Sequence, residues 1–479
     1  MMMKPYTILH ISDFHKDKDQ RFDNLLSSLK TDVENYVSEA VPKPSIIVVS
    51  GDLVQGVKET DAQARIELRK QYDEVADFLN KLVEEFLDGD KRRIIIVPGN
   101  HDLFRAHTIS SMCPSNKEHL EDDKKAYFNS DSIVRWNWDD LSFYHIVNPD
   151  VYKHRFEAYI EFYNSFYQSI EDRQLPDEID EHSFIVDLEE FGITFVGFNS
   201  CNCLDHLNSS GCICPSALTS IRAEISEKYR QGRLICGVWH HHVNGLPPER
   251  NYLDYRILNS MISNHIHVGL FGHQHQSQIL QEYEDFTLDK KILLISTGTL
   301  YGREKALRSG LPRQYNLITI QRTGGEEVTL SLRVREDRSV DSYDIPNWQP
   351  YIHGASGKDV FERIAYVKVP SIENQIRSAE LEAKRESNYE GACRRLKATG
   401  LTNPLAMAMY DNYLGHVDAN HIVSLVGDRP KNGIQYMAVL SAATEVHNKA
   451  LVRILLSEKY SIYFTPLNKE IRDKAKRIL

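Results

Sequence analysis

Five short motifs, each placed just after an apolar run, constrain this chain more than any other feature. Asp13-Phe14-His15 follows Ile8 to Ile11, and Gly51-Asp52 follows Ile46 to Val49. Gly99-Asn100-His101-Asp102 follows Ile94 to Val97. His240-His241-His242 follows Leu234 to Trp239, and Gly272-His273-Gln274-His275 follows Val268 to Phe271. Short apolar runs bounded by turn residues read as buried strands, and two more lie at Ile193 to Phe198 and Ile292 to Ile295. Helical spacing between them, notably at Gln63 to Phe86 and Pro215 to Tyr229, makes an α/β layered fold the expectation, with sheets buried between helices. Loops gathered at one edge of such a sheet are where these folds build their sites.

The residue types in the motifs say what kind of site. Asp, Asn and His are oxygen and nitrogen donors; imidazole suits Zn, Fe, Mn and Ni, and carboxylate suits Mn and Mg. A lone Asp-x-His is ordinarily a surface turn, but the whole ordered set at strand ends is a specific signal. The glycines are expected to let the backbone turn sharply, so that neighbouring side chains face one cavity.

Carried by those residues, the sequence resembles the calcineurin-like metallophosphoesterase family over roughly residues 6–335. The resemblance implies a four-layer α/β/β/α metallophosphoesterase sandwich with two divalent metal ions at the sheet edge, manganese foremost and iron, zinc or nickel as alternatives. It implies that Asp13, His15 and His275 hold one ion, that Asn100, His241 and His273 hold the other, and that Asp52 bridges them. His101 is then the proton donor or phosphate contact, with Asp102 as its orienting neighbour. The implied reaction is hydrolysis of a phosphodiester or phosphomonoester by a hydroxide formed between the metals, with His101 protonating the leaving alkoxide. The triple histidine departs from the family's His-His-Pro or His-x-Pro pattern, because Val243 stands where the proline is expected. Aligning Val243 with that proline makes His241 the ligand; aligning strand ends makes it His240.

Charge bears on the substrate. The chain carries a formal net charge of −11, so it is a poor non-specific binder of nucleic acid. The balance is uneven: residues 371–479 hold 16 Lys+Arg against 12 Asp+Glu, and the first 370 residues hold 41 against 56. A nucleotide or other small molecule is therefore the expected substrate. A DNA or RNA nuclease is the alternative within the family, and an effector enzyme whose C-terminal region docks a partner protein is the alternative outside it. No run of about 18 apolar residues is present, so no membrane span is expected. Seven cysteines with no visible export signal lead to the expectation of reduced thiols and a cytoplasmic protein.

At 479 residues the chain is expected to hold two or three domains. The phosphoesterase domain is placed at residues 1–345, with an aromatic, acidic insertion at about 104–182. There Phe156, Tyr159, Phe162, Tyr163 and Phe166 have helical spacing, which reads as helices packed beside the core or as a substrate-shaping lid. Residues 286–334 read as strands closing the sheet. Pro346, Pro350, Gly354 and Gly357 mark residues 346–370 as a linker or wrap-around arm, and residues 371–479 read as a mostly helical C-terminal domain. Two further groups carry chemistry in prospect. Cys201, Cys203, Cys212 and Cys214 could hold a structural Zn, with ordinary reduced thiols as the plainer reading. Arg303, Arg308 and Arg313 could grip a substrate phosphate, or simply lie on a solvated loop.

Overall fold

The computed structural model describes residues 4–16, 22–38, 40–58, 62–116, 120–127, 132–245, 250–279, 283–285, 290–302, 307, 310–322, 326–339, 345–354, 356–368, 372–385 and 387–479. Contact density separates a unit over residues 2–368 from a second over 369–479.

The strands of the first unit run in the order β1 (Tyr6–Ile11), β2 (Pro44–Val49), β3 (Ile94–Ile96), β4 (Met112–Pro114), β5 (Val134–Asn137), β6 (Ser142–Ile146), β7 (Ser183–Leu188), β8 (Ile193–Phe198), β9 (Leu234–Val238), β10 (Val268–Phe271), β11 (Gln278–Ile279), β12 (Tyr283–Asp285), β13 (Lys290–Ser296), β14 (Gln314–Arg322), β15 (Glu327–Asp337), β16 (Trp348–Pro350) and β17 (Phe361–Tyr366). One sheet has the order β16-β15-β14-β1-β2-β3, with β17 also on β15; a second has the order β11-β13-β10-β9-β8-β7, with β12 also on β13. At the heart of each, strands run parallel: β1, β2 and β3 in the first, β8, β9, β10 and β13 in the second. Parallel strands need both faces covered, and these sequences are apolar at nearly every position for that reason.

The alternation of side chains along each strand builds the layers. Tyr6 and Ile8 of β1 and Ile46 and Val48 of β2 face a core shared with Phe195, Cys236, Val238 and Leu270 of the second sheet. Leu9, Ile11, Ile47 and Val49 face the other way, onto the helices Phe22–Ser38, Ala62–Leu87 and Glu157–Phe166. On the far side, Phe198, Ile235, Trp239 and Phe271 pack against Leu218 and Ile225 of the helix Pro215–Arg230 and Leu258 and Met261 of the helix Arg256–Ser263. The result is the expected α/β/β/α sandwich. The five aromatic residues of the insertion sit in the outer core beside β1 and β2, and β4, β5 and β6 form a separate three-stranded sheet within the insertion.

Of the two readings of residues 346–370, linker or wrap-around arm, the strand pairing fits the arm. Residues 348–350 and 361–366 pair antiparallel with β15, and Trp348 is buried against Tyr315 with its indole N–H donated to Ser28. The prolines that suggested a linker are compatible with this, because proline is tolerated on edge strands.

The C-terminal unit is helical, with segments including Ile372–Arg385, Tyr389–Ala398, Pro404–Leu414, Ala419–Val426, Gly433–Glu445, Lys449–Leu455 and Lys469–Lys476. Asn388, Asn403, Asp418, Asn432 and Asn448 each cap a helix by accepting a backbone N–H, which typically contributes about 1 kcal/mol apiece. Leu396, Tyr410, Tyr436, Leu440 and Val452 lie in its own core. Among the described residues, no helix is long and apolar enough to cross a membrane.

Candidate metal centre

The motifs converge at the carboxyl ends of β1, β2, β3, β9 and β10. The segment after β1 is laced to the segment after β2: Asp13 N donates to Gly51 O, and the backbone N–H groups of Phe14 and His15 both donate to Asp52 O. Phe14 points away into the core against Phe22 and Phe78, so Asp13 and His15 are left facing the edge of the sheet. The N–H of His273 donates to Asp13 Oδ2 at 3.1 Å, which ties the segment after β10 to the segment after β1.

Close approach explains the glycines better than turning does. A Cβ at Gly99 would lie 2.2 Å from Asp52 N, and one at Gly272 would lie 2.5 Å from Asp13 Oδ2. Of the motif glycines only Gly51 takes a left-handed φ, +97°. The sharp bends fall instead on the site residues themselves: Asp13, His15, Asp52, His273 and His275 have φ between +47° and +74°.

Two groups of donor atoms result. In the first, His15 Nε2 and His275 Nε2 are 2.9 Å apart, and Asp13 Oδ1 lies 3.8 Å from the former and 3.3 Å from the latter. In the second, Asn100 Oδ1 lies 2.9 Å from His240 Nε2 and 2.8 Å from His273 Nδ1, which are themselves 3.2 Å apart. Asp52 Oδ2 stands between the groups, 3.9 Å from His15 Nε2 and 3.4 Å from His240 Nε2. Neighbouring ligands around an ion with bonds of about 2.1 Å sit about 3.4 Å apart in a tetrahedron, and these spacings bracket that value. Asp13 Oδ1 is buried and is flanked only by the Nε2 atoms of His275 and His15, the other donors of its group, as a carboxylate oxygen awaiting a cation would be. The donor set therefore fits two divalent ions.

Electrostatics prepares these atoms. Burial opposes the charged form of Asp13, but the hydrogen bond from His275 and the imidazole of His240 hold its carboxyl down at about 2. Burial likewise opposes the charge on Asp52, and His240 and His101 still keep it well below the ordinary carboxylate range. Burial, reinforced by His101 for His15 and by His240 for His273, lowers both imidazoles to about 3, so their lone pairs are free. His240 is the exception: burial pulls it down, but Asp52 outweighs this and raises it to about 9.

The triple histidine resolves differently from the preferred alignment. His240 Nδ1 lies 2.8 Å from Ser50 O, so it carries a proton and donates it there, which turns Nε2 toward Asn100, His273 and Asp52 as the atom an ion would take once its proton is displaced. His241, preferred on the valine alignment, turns its Nδ1 to Ser200 Oγ at 3.0 Å, so it joins neither donor group. The cause is simple: Trp239 packs in the outer core and His240, the next residue, emerges over the sheet edge, the chain returning to that core only at Val243.

His101 borders the centre, with its ring centroid 4.7 Å from that of His15, its Nδ1 2.8 Å from Gln55 O and its backbone N–H donated to Asp52 Oδ1. Asp102 does not orient it. The buried Asp102 carboxylate accepts from the N–H of Gly99 at 2.8 Å, the N–H of Leu53 at 3.3 Å and the hydroxyl of Tyr72 at 3.0 Å, and so ties the Asp52 loop to the Asn100 loop. Tyr72 has no sequence signal, since it sits among the apolar positions of a long helix.

The other two constellations do not assemble. Cys201 Sγ faces His241 Nδ1 and Pro98 O, Cys203 and Cys212 face each other, and Cys214 Sγ meets Ser216 Oγ at 3.0 Å. Among the described residues these four thiols form no metal-holding group. Arg313 is buried in an ion pair with Asp337 at 3.0 Å and not offered to a substrate, while Arg303 and Arg308 lie outside the described residues.

Comparison with known proteins identifies the family. A family model, calcineurin-like phosphoesterase, matches residues 6–277, more than half of the chain. None of the curated proteins matches. Solved structures similar to this chain include a dimetal phosphatase from Danio rerio (11% identity, covering 69% of this chain and 96% of that one, TM-score 0.36). Another is the calcineurin-like phosphoesterase YfkN from Bacillus subtilis (11% identity, 82% and 99% covered, TM-score 0.29). At those TM-scores neither adds to the case, which rests on the family match and the donor set. By that match this chain, a metal-dependent phosphoester hydrolase, belongs to the calcineurin-like phosphoesterase family.

Proposed function

We propose that the chain hydrolyses a phosphodiester or phosphomonoester of a nucleotide or other small molecule at a dinuclear centre. Asp13, His15 and His275 would hold one ion, Asn100, His240 and His273 the other, and Asp52 both. The observation that carries this reading is the place of Asp52 Oδ2, within 3.9 Å of His15 Nε2 and 3.4 Å of His240 Nε2. Two divalent ions, when bound, supply Lewis-acid charge for a phosphoryl oxygen and make water nucleophilic at neutral pH.

The chain's own groups then have definite tasks. Asp52 is held in place by the backbone N–H of His101 on Oδ1, so its other oxygen keeps its direction. His101 donates its Nδ1–H to Gln55 O, which fixes the ring, and in the doubly protonated ring Nε2–H is the donor that meets the phosphate or gives its proton to the leaving oxygen. Protonation of a basic alkoxide by such a group typically contributes about 10²–10⁴-fold. The net acidity of residues 1–370 supports a small substrate over a long duplex.

The test is hydrolysis of bis-p-nitrophenyl phosphate by the full chain with Mn²⁺, followed by a screen of nucleotides, cyclic nucleotides and single-stranded nucleic acid. Asp52→Asn is expected to lose metal and turnover together. Elemental analysis finding two metals per chain retained in that variant would remove the bridging role; no turnover of any ester by the wild type would remove the enzymatic reading.

A further inference from the structure

We infer that Ser200 is a positioning residue for the second ion's ligands: its hydroxyl, through two backbone amides and the ring of His241, decides which histidine of His240-His241-His242 faces the centre. This rests on the reading of His240 as a ligand.

Ser200 stands just after β8 and is fully buried. A hydroxyl has one proton to give and two lone pairs with which to accept. Its Oγ lies 3.1 Å from His240 N and 3.1 Å from His241 N, and backbone amides can only donate, so both lone pairs are taken. The one proton is left for His241 Nδ1 at 3.0 Å. Nδ1 of His241 must accept, so the His241 proton sits on Nε2, and the ring is neutral and turned toward β8. Gly211 shuts it in from the other side, since a Cβ there would lie 2.6 Å from His241 Cγ.

With His241 pinned, the peptide between it and His240 is pinned too, and His240 projects the opposite way. Its Nδ1 then meets Ser50 O, and Nε2 meets Asn100 Oδ1 and Asp52 Oδ2. Ser50 fixes the tautomer of the ligand; Ser200 fixes the backbone that delivers it. Removing the hydroxyl frees two buried N–H groups and the His241 ring, while the Asp13, His15 and His275 group is untouched. Loss of a group that orients a ligand typically lowers metal affinity about 10–100-fold.

The experiment is Mn²⁺ titration by calorimetry of the full-length wild type, Ser200→Ala and Ser200→Thr. The wild type is expected to take up two ions. Ser200→Ala should keep one of the two steps and weaken the other about 10–100-fold, and Ser200→Thr, which retains the hydroxyl, should restore it. Wild-type affinity for both ions in Ser200→Ala overturns the inference. Should that variant fail to fold, Ser200→Thr decides: retention of both ions supports the hydroxyl's role, and loss of either step refutes it. A metal-free readout stands beside these. Long-range ¹H–¹⁵N imidazole spectra of the apo wild type should show His241 protonated at Nε2, and an Nδ1 proton overturns the assignment. Absence of Mn²⁺ binding by the wild type instead brings down the dinuclear reading, and the inference with it.

Discussion

Asp102 is the residue on which the sequence and the geometry part most clearly, and two substitutions separate them. As the orienting partner of His101 it would need only its charge; as the tie between two loops it needs its oxygens. Asp102→Ala strips a partner from the buried N–H groups of Gly99 and Leu53, while the Tyr72 hydroxyl can fall back on Asp102 O at 3.3 Å. A buried donor left without a partner costs about 1–3 kcal/mol, so the two amides together cost about 2–6 kcal/mol. Against a domain stability of about 5–15 kcal/mol that is a large share, and it should lower Tm by on the order of 10 °C. Asp102→Asn is different. Its amide oxygen can take over both N–H bonds, and its NH₂ can donate to the Tyr72 oxygen, which has lone pairs to accept. The substitution also removes a carboxyl that burial and the nearby Asp52 charge push up to about 7, so its cost is expected below about 2 kcal/mol. Circular dichroism melts and parallel hydrolysis of an alkyl and a p-nitrophenyl ester would follow both. Asp102→Asn should melt near the wild type and keep the ratio of the two rates. A native melt with selective loss of the alkyl ester would refute this and return Asp102 to a role in proton transfer at His101.

Three other outcomes follow from the structure. A fragment ending at residue 345 loses β16 and β17, and with them Trp348, whose burial typically is worth about 3–5 kcal/mol; it should be insoluble or melt without cooperativity, whereas one ending at Lys368 should fold and hydrolyse bis-p-nitrophenyl phosphate, and equal melts for the two would show the arm to be dispensable. His101→Ala should keep both metals by elemental analysis and slow an alkyl ester about 10²–10⁴-fold while sparing a p-nitrophenyl ester; equal losses would remove the proton-donor role. Because Asp52 raises apo His240 to about 9, an ion at His240 must displace a proton at any pH below that, so affinity at that step should climb about tenfold per unit from pH 7 toward 9, and a flat profile would contradict the assignment.

Much of the site was legible because strand ends are legible. Apolar runs such as Ile46 to Val49 stop where the chain leaves the sheet, and the first polar residues beyond them have nowhere to go but the edge. What spacing along a chain does not encode is which of three consecutive imidazoles turns inward. That choice is made by Ser50, 190 residues before His240, and by Ser200, 40 residues before it. That the arm pairs with the sheet was hidden for a related reason. β17 buries only Ala365 fully, and β16 is three residues long, so neither shows the alternation by which a strand is recognised. The thiols looked like a metal site because Cys-x-Cys pairs are close in sequence, yet the backbone bridge between Cys201 and Cys212 leaves Cys201 facing the histidines and Cys214 facing Ser216.

The left-handed backbone at Asp13, His15, Asp52, His273 and His275 links the fold to the chemistry. A non-glycine residue there costs roughly 1–2 kcal/mol, so five of them cost about 5–10 kcal/mol, as much as a domain's whole net stability. Glycine would relieve the strain but carries no donor atom, so the positions that most need freedom are the ones that cannot have it. The cost is offset locally, by the bonds from the N–H groups of Asp13, Phe14 and His15 to the Gly51 and Asp52 carbonyls and by Asp13 Oδ2 on the His273 N–H. Each of those bonds joins one ligand-bearing loop to another. The strain at one donor is therefore carried by the loop that presents the next, and the donors keep their spacing because none of the loops can relax alone.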